Sequence, residues 1–175
     1  MNFQNTNKPS KVVLSVGDES GIGPEIILKA LYSNEIPENI EYILVGSKKN
    51  LQNTYENLRS LGLENLANPK NLKIQDIEIC PSNNDPKSSY GDSSFQYLKK
   101  AIEIVKQYPN AALVTGPICK KSWSLAGHYF SGQTEVLAKS CSVKNVGMLF
   151  TAKSPITGWR FNTLLATTHI ALSEV

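Results

Sequence analysis

The chain alternates short unbroken apolar runs with segments whose apolar residues recur every three or four positions. The first run is Val12-Val13-Leu14-Ser15-Val16, and Ile26, Ile27, Ala30 and Leu31 follow at helical spacing. The run reads as a buried strand, the second pattern as an amphipathic helix. Between them lies Gly17-Asp18-Glu19-Ser20-Gly21-Ile22-Gly23-Pro24-Glu25. The order is therefore strand, glycine turn, helix. Pro24 suits the first helical position, where its missing N–H has no partner to lose. Glu25 in the first turn complements the helix dipole.

The alternation continues. Glu41 to Gly46 reads as a second buried strand, and Ser47 can cap a helix reaching about Leu61, with Leu51, Tyr55, Leu58 and Leu61 at helical spacing. Leu72 to Ile77 alternates like a strand; Cys80 to Tyr90, rich in Pro, Ser, Asn and Asp, reads as loop. Gly91 to Tyr108 is the clearest helix, with Phe95, Leu98, Ile102 and Val105 on one face and Pro109-Asn110 ending it. Ala111 to Thr115 is a short buried strand that runs through Gly116-Pro117 into a helix carrying Lys120 and Lys121. Strands alternating with helices predict an α/β fold with a parallel sheet covered by helices. The pattern changes after Cys141. Asn145 to Ala152 and Gly158 to Thr168 are two β-rich runs joined by a Pro-containing turn, which predicts an antiparallel pair and a mixed fold.

Composition narrows the class. The 175 residues are 41% hydrophobic, enough for one substantial core, and 19% charged, which argues against disorder. The net charge of +3 is spread thinly, with no basic block, so nucleic acid is not an expected partner. Cys80, Cys119 and Cys141 lie far apart with no CxxC pair and read as free thiols in a reducing compartment. Residues 1–10 are polar and Asn-rich, and are expected to be disordered, leaving 11–175 as the α/β portion. No signal-peptide core or apolar run of the roughly 18 residues a membrane span needs is present, so a cytoplasmic protein without membrane contact is expected.

Open α/β sheets bind ligands beyond the carboxyl ends of their strands, and four polar clusters fall there. The glycine turn is neither a GxGxxG fingerprint nor a P-loop, but it opens a helix whose free N–H groups suit an anion or polar substrate. In Thr115-Gly116-Pro117-Ile118-Cys119-Lys120, Lys120 could hold an anion or be a solvated helix lysine. In Ser131-Gly132-Gln133-Thr134-Glu135, Gln133 and Thr134 could hydrogen-bond a ligand or only open a helix. In Thr167-Thr168-His169 the imidazole could ligate a metal, act as a base, or be structural. His128, before an aromatic pair and with no acid partner in sight, reads as structural.

Taken together, GDESGIGPE, VTGPICK, AGHYFSGQTE and LLATTH, in that order, resemble the 4-hydroxythreonine-4-phosphate dehydrogenase family of pyridoxal phosphate biosynthesis. The resemblance implies the N-terminal portion of an isocitrate/isopropylmalate dehydrogenase-like α/β/α sandwich with a mixed sheet. It implies NAD- or NADP-dependent oxidation of 4-phosphooxy-L-threonine, decarboxylation to 3-amino-2-oxopropyl phosphate, a divalent metal (zinc, magnesium or cobalt) and a homodimer. His169 carries over as a metal ligand, and Gln133 and Thr134 as substrate-binding residues. Gly21, Gly23, Glu25 and Lys120 carry over as possible site lining. Gln133 stands where the family carries a histidine, which removes acid–base chemistry from that position. The family's further metal-binding histidines, phosphate-holding basic residues and most cofactor contacts lie downstream of Val175, so this chain alone is expected to be inactive. Two alternatives stay open: another β-decarboxylating dehydrogenase of a 2-hydroxy acid, and an inactive truncated fragment that only binds a partner.

Overall fold

The computed structural model describes residues 10–78, 85–167 and 173. His169, Cys80 and all of the expected N-terminal tail except Ser10 lie outside the described residues. Ser10 itself is tied in: its N–H donates to the Asn110 carbonyl (2.9 Å) and its carbonyl accepts from the Glu41 N–H (3.1 Å). The chain divides into two units, Met1–Ser131 and Gly132–Val175.

In the first unit, β1 (Lys11–Ser15), β2 (Glu41–Gly46), β3 (Lys73–Asp76) and β4 (Ala111–Thr115) form one sheet in the order β3-β2-β1-β4. Every pairing is parallel, with Val13 opposite both Ile43 and Leu113. The unbroken apolar runs are explained by position: β1 and β2 are central, and a parallel strand buried on both faces has no wet side to make polar. Val13, Leu44 and Val45 are fully buried there. Helices α1 (Gly23–Tyr32), α2 (Lys48–Ser60), α3 (Pro86–Val105) and α4 (Lys120–Leu125) complete the unit. Leu28 of α1 and Leu51 of α2 are fully buried, and Tyr97 and Ala101 of α3 join the same core. Each such leucine contributes about 1.5–3 kcal/mol by burial.

The sheet order matters for function. The chain steps outward from β1 to β2 to β3, then returns to the other side of β1 with β4. The order reverses between β1 and β4, and the crevice beyond their carboxyl ends is where such a sheet takes a ligand.

Helix α3 starts five residues before the expected Gly91 and absorbs part of the predicted Cys80–Tyr90 loop. The reason is local. Asp85 caps it by accepting the Lys87 N–H at 2.9 Å, and Pro86 occupies the first turn. Helix α4 docks on α3 through Trp123, which is fully buried and donates its indole N–H to Ser94 Oγ at 2.7 Å. None of the described helices is long and apolar enough to cross a membrane.

In the second unit, α5 (Gln133–Cys141) ends at Ser142, which adopts the left-handed conformation (φ 56°). Strands β5 (Leu149–Lys153) and β6 (Arg160–Leu164) pair antiparallel, shorter than the predicted runs. Among the described residues this pair is a sheet of its own, not the antiparallel part of one mixed sheet. Cross-strand partners share a face. One face therefore carries Phe150, Ala152, Phe161 and Thr163 with no charge, and the other carries Lys153 opposite Arg160. Phe150 is 54% exposed, Phe161 48% and Trp159 64%. A two-stranded ribbon is marginal alone, and an exposed apolar patch promotes association. The chain is expected to bind a hydrophobic fluorescent dye or to self-associate, and Phe150→Thr with Phe161→Thr to weaken both. Light scattering showing a monomer, with negligible dye signal, contradicts this.

Candidate functional site

The carboxyl ends of β1 and β4 are knitted by backbone. The Gly116 N–H donates to the Ser15 carbonyl (2.8 Å), and the Asp18 N–H to the Pro117 carbonyl (2.8 Å). Two glycines make this approach possible. Gly17 has φ +80°, and a Cβ on it would lie 2.2 Å from Pro117 O. A Cβ on Gly116 would lie 2.3 Å from Val16 O. No side chain fits at either place. These glycines are filled by the protein's own backbone, not left open for a phosphate.

The turn then folds around Asp18, which is 7% exposed. Its Oδ1 accepts both the Ser20 N–H (2.9 Å) and the Ser20 hydroxyl (2.7 Å), and its carbonyl accepts the Gly21 N–H (3.1 Å). Ser20, Gly21 and Ile22 are left as an exposed tip before α1 begins at Gly23. Gly23 is buried, and Glu25 pairs with Lys29 one helical turn on. Lys120 is exposed at the first residue of α4, directly beyond β4. The structure thus brings the loop of Gly21 and Gly23 and the loop leading to Lys120 to one end of the sheet. Beside them, Leu14, Ile26, Ile27, Ala30 and Val114 line an apolar groove of about 220 Å³.

Gln133 and Thr134 open α5 in the second unit, and Glu135 lies in its first turn with Oε2 buried and without a hydrogen-bond partner. Among the described residues no three His, Cys, Asp or Glu side chains gather as a metal site.

Two polar contacts escaped the sequence reading. The expectation that His128 has no acid partner is wrong: its Nε2 lies 2.7 Å from Asp92 Oδ1. Its ring stacks on Phe95 (3.8 Å between centroids, 12° between planes), and Phe95 meets Trp123 edge-on. The second contact is at Glu19, whose Oε1 accepts the Tyr97 hydroxyl. Burial pushes the Glu19 carboxyl above its ordinary value, helped by Asp18 and Asp76 and opposed by the Tyr97 hydroxyl and the Ser47 N–H. Burial, and then Glu19 itself, push the Tyr97 hydroxyl up. Cys119, at the N-cap of α4, is held below the usual thiol range chiefly by the Ser122 hydroxyl.

Residues 38–175 match the family described as "Pyridoxal phosphate biosynthetic protein PdxA". The chain belongs to the PdxA family. Among its relatives is a 4-hydroxythreonine-4-phosphate dehydrogenase of Synechococcus sp. (strain RCC307), 44% identical over 168 residues, covering 95% of this chain and 50% of that protein. Another, of the same name, from Nostoc sp. (strain PCC 7120), is 42% identical over 183 residues, covering 98% of this chain and 51% of the relative. The fold is similar to the crystal structure of a 4-hydroxythreonine-4-phosphate dehydrogenase from Burkholderia phymatum (TM-score 0.73, 22% identity, 96% of this chain and 52% of that one). This PdxA-family chain spans about half the length of the curated relatives it matches.

Two measurements follow from the site's geometry. Gly116→Ala forces a methyl into the Val16 carbonyl and is expected to cost about 3 kcal/mol, read as a lower urea midpoint at unchanged m. A midpoint equal to wild type contradicts the packed glycine pair. For Glu19, a raised value means that the neutral carboxyl is the better accommodated form. Its contribution is fully present below the ordinary carboxylate value of 4.5 and is lost as pH rises through the raised one. Glu19→Gln mimics the neutral form. It is expected to melt above wild type near pH 7 and together with it near pH 4; a gap that widens toward acid contradicts the assignment.

Proposed function

We propose that this chain is the N-terminal half of an NAD(P)-dependent dehydrogenase acting on 4-phosphooxy-L-threonine. Family membership carries the reading, supported by relatives of that name at 40–44% identity. When bound, NAD or NADP would supply the hydride acceptor for oxidation of the secondary alcohol, whose hydroxyl proton would pass to a base. The resulting β-keto acid loses carbon dioxide, giving 3-amino-2-oxopropyl phosphate. Hydride chemistry belongs to the cofactor, and the protein's part is binding and orientation.

In this reading Gln133 and Thr134 hydrogen-bond the substrate. Gln133 orients it without moving a proton, since an amide does not titrate. Gly21, Gly23, Glu25 and Lys120 line the site, and Lys120 offers the cation that an anionic substrate group calls for. Asp18 shapes the turn by taking the Ser20 N–H and hydroxyl. His169 is read as one ligand of a divalent metal: zinc, magnesium or cobalt. A catalytic metal takes about three protein ligands. The described residues do not gather such a set, so no step is assigned to the metal here. Nor do the closely packed glycines of the turn offer a dinucleotide cradle; cofactor contacts are assigned to no residue of this chain. We further read the fold as the isocitrate/isopropylmalate dehydrogenase type, residues 11–175 as its N-terminal α/β portion, and the assembly as a homodimer.

The test joins this chain to the remaining half of the Synechococcus relative. The chimera is incubated with 4-phosphooxy-L-threonine, NAD and a divalent metal while NADH absorbance is followed. The chimera is expected to turn over, and the chain alone is not. His169→Ala in the chimera should lower zinc affinity by isothermal titration and turnover together. A folded chimera inactive on this substrate but active on an unphosphorylated 2-hydroxy acid overturns the substrate assignment. Unchanged affinity and turnover in His169→Ala make that histidine structural.

A further inference from the structure

The glycine turn is held unevenly. On the β4 side it is fixed by backbone, through the Asp18 N–H and the Pro117 carbonyl. Toward α3 a side chain holds it. Glu19 Oε1 accepts the hydroxyl of Tyr97, a residue of α3 that is 1% exposed. One carboxylate therefore ties the β1–α1 turn to the middle of α3. The tip it adjoins, Ser20 to Ile22, is exposed, and Ile22 is 62% so.

We propose that Glu19 is a positioning residue, whose bond to Tyr97 holds the exposed tip of the glycine turn in place for the ligand that binds beyond β1. What the tip serves rests on the function proposed above; that Glu19 holds it does not.

Three observations carry the proposal. First, the bond goes to a group that is itself fixed: Tyr97 lies in the core. A turn bonded to a rigid partner is itself held. Second, the charged groups facing Glu19 are acids. Asp18 on its own turn and Asp76 at the end of β3 both disfavour its ionised form. Asp76 is oriented by accepting the Lys48 N–H at 2.8 Å. A partly buried carboxylate among acids is costly to folding, so stability alone does not account for it. Third, the Tyr97 hydroxyl finds an acceptor oxygen on Glu19 whether the carboxyl is ionised or neutral, so the tie does not depend on charge. The bond of Glu19 to Tyr97 also makes it a poor direct ligand for substrate. It acts through the turn.

The experiment compares amide hydrogen exchange of residues 17–23 in the 175-residue wild type, Tyr97→Phe, Glu19→Ala and Glu19→Gln, with circular dichroism as the check on folding. Losing this hydrogen bond, with one partner left unsatisfied, should speed exchange of the turn by about tenfold or more. Both Tyr97→Phe and Glu19→Ala should show this, with β1 and β2 protection unchanged. Glu19→Gln keeps an acceptor for the Tyr97 hydroxyl and should stay within about threefold of wild type. If Tyr97→Phe fails to fold, Glu19→Ala, which leaves the core intact, decides. Turn exchange equal to wild type in the folded variants overturns the proposal, and so does loss of β1 and β2 protection in parallel with the turn. In the chimera, Glu19→Ala should raise KM severalfold more than it lowers kcat; a loosened turn with unchanged kinetics overturns the link to ligand binding. A wild-type chimera without turnover refutes the function proposed above, and the exchange data then decide Glu19 alone.

Discussion

The contact on which the rest of this sheet depends is the backbone-to-backbone approach of the β1 and β4 ends. Gly17 and Gly116 face carbonyls at distances no Cβ tolerates, so the two loops can be joined by hydrogen bonds only because both residues are glycine. That junction sits where the strand order reverses. In a parallel sheet the reversal normally opens a crevice. Here its floor is closed by protein backbone, and beside it lie the exposed turn tip, the first residues of α4, and the apolar groove beside α1.

The two ends of the sheet are charged differently, and the difference separates fold from function. At the amino ends, Lys11 of β1 and Lys73 of β3 both pair with Glu41 of β2. Those pairs hold the Glu41 carboxyl down to about 2. They are solvent-exposed, and exposed ion pairs contribute little to stability; they sit across the strand starts where register is set. At the carboxyl ends, Asp18 and Asp76 both act on Glu19 and disfavour its ionised form, and no ion pair offsets them among the described residues. A half-buried carboxyl beside like charges opposes folding when it ionises.

Most of the fold was legible because its signals are local. Unbroken apolar runs marked β1, β2 and β4, Ser47 marked the start of α2, and Pro24 marked the start of α1. The main error, the start of α3, was local too: Asp85-Pro86 is a cap followed by a first-turn proline, but it was obscured by the polar composition around it. The mixed sheet that the resemblance implies is not seen among the described residues, where the antiparallel pair is a sheet of its own. Antiparallel periodicity in 145–168 shows that two strands pair with each other; it does not say which sheet they join. Their pattern does hold the amphipathic ribbon that formed, charge-free on one face and cationic on the other.

The placement of the candidate residues on their elements was legible only where it depends on neighbours in sequence. The glycine turn, Lys120 at the opening of α4, and Gln133 and Thr134 at the opening of α5 all sit at strand-to-helix or helix-start positions that spacing alone reveals. Glu19 and His128 could not be read this way, because their partners lie 78 and 36 residues away. Both partners come from α3, at Tyr97 and Asp92. Helix α3 was read by its apolar stripe, and the stripe conceals what the helix does. Tyr97 stands beside Leu98 in the core and looks like one more apolar residue until its hydroxyl is traced to the turn. Asp92 looks like a solvated helix residue until the chain after α4 returns to stack His128 on Phe95. A long central helix that packs under both the first turn of the chain and the segment after α4 is the element through which those distant parts are fixed to the same frame. The polar groups it contributes therefore reveal that tie, which its own sequence pattern does not.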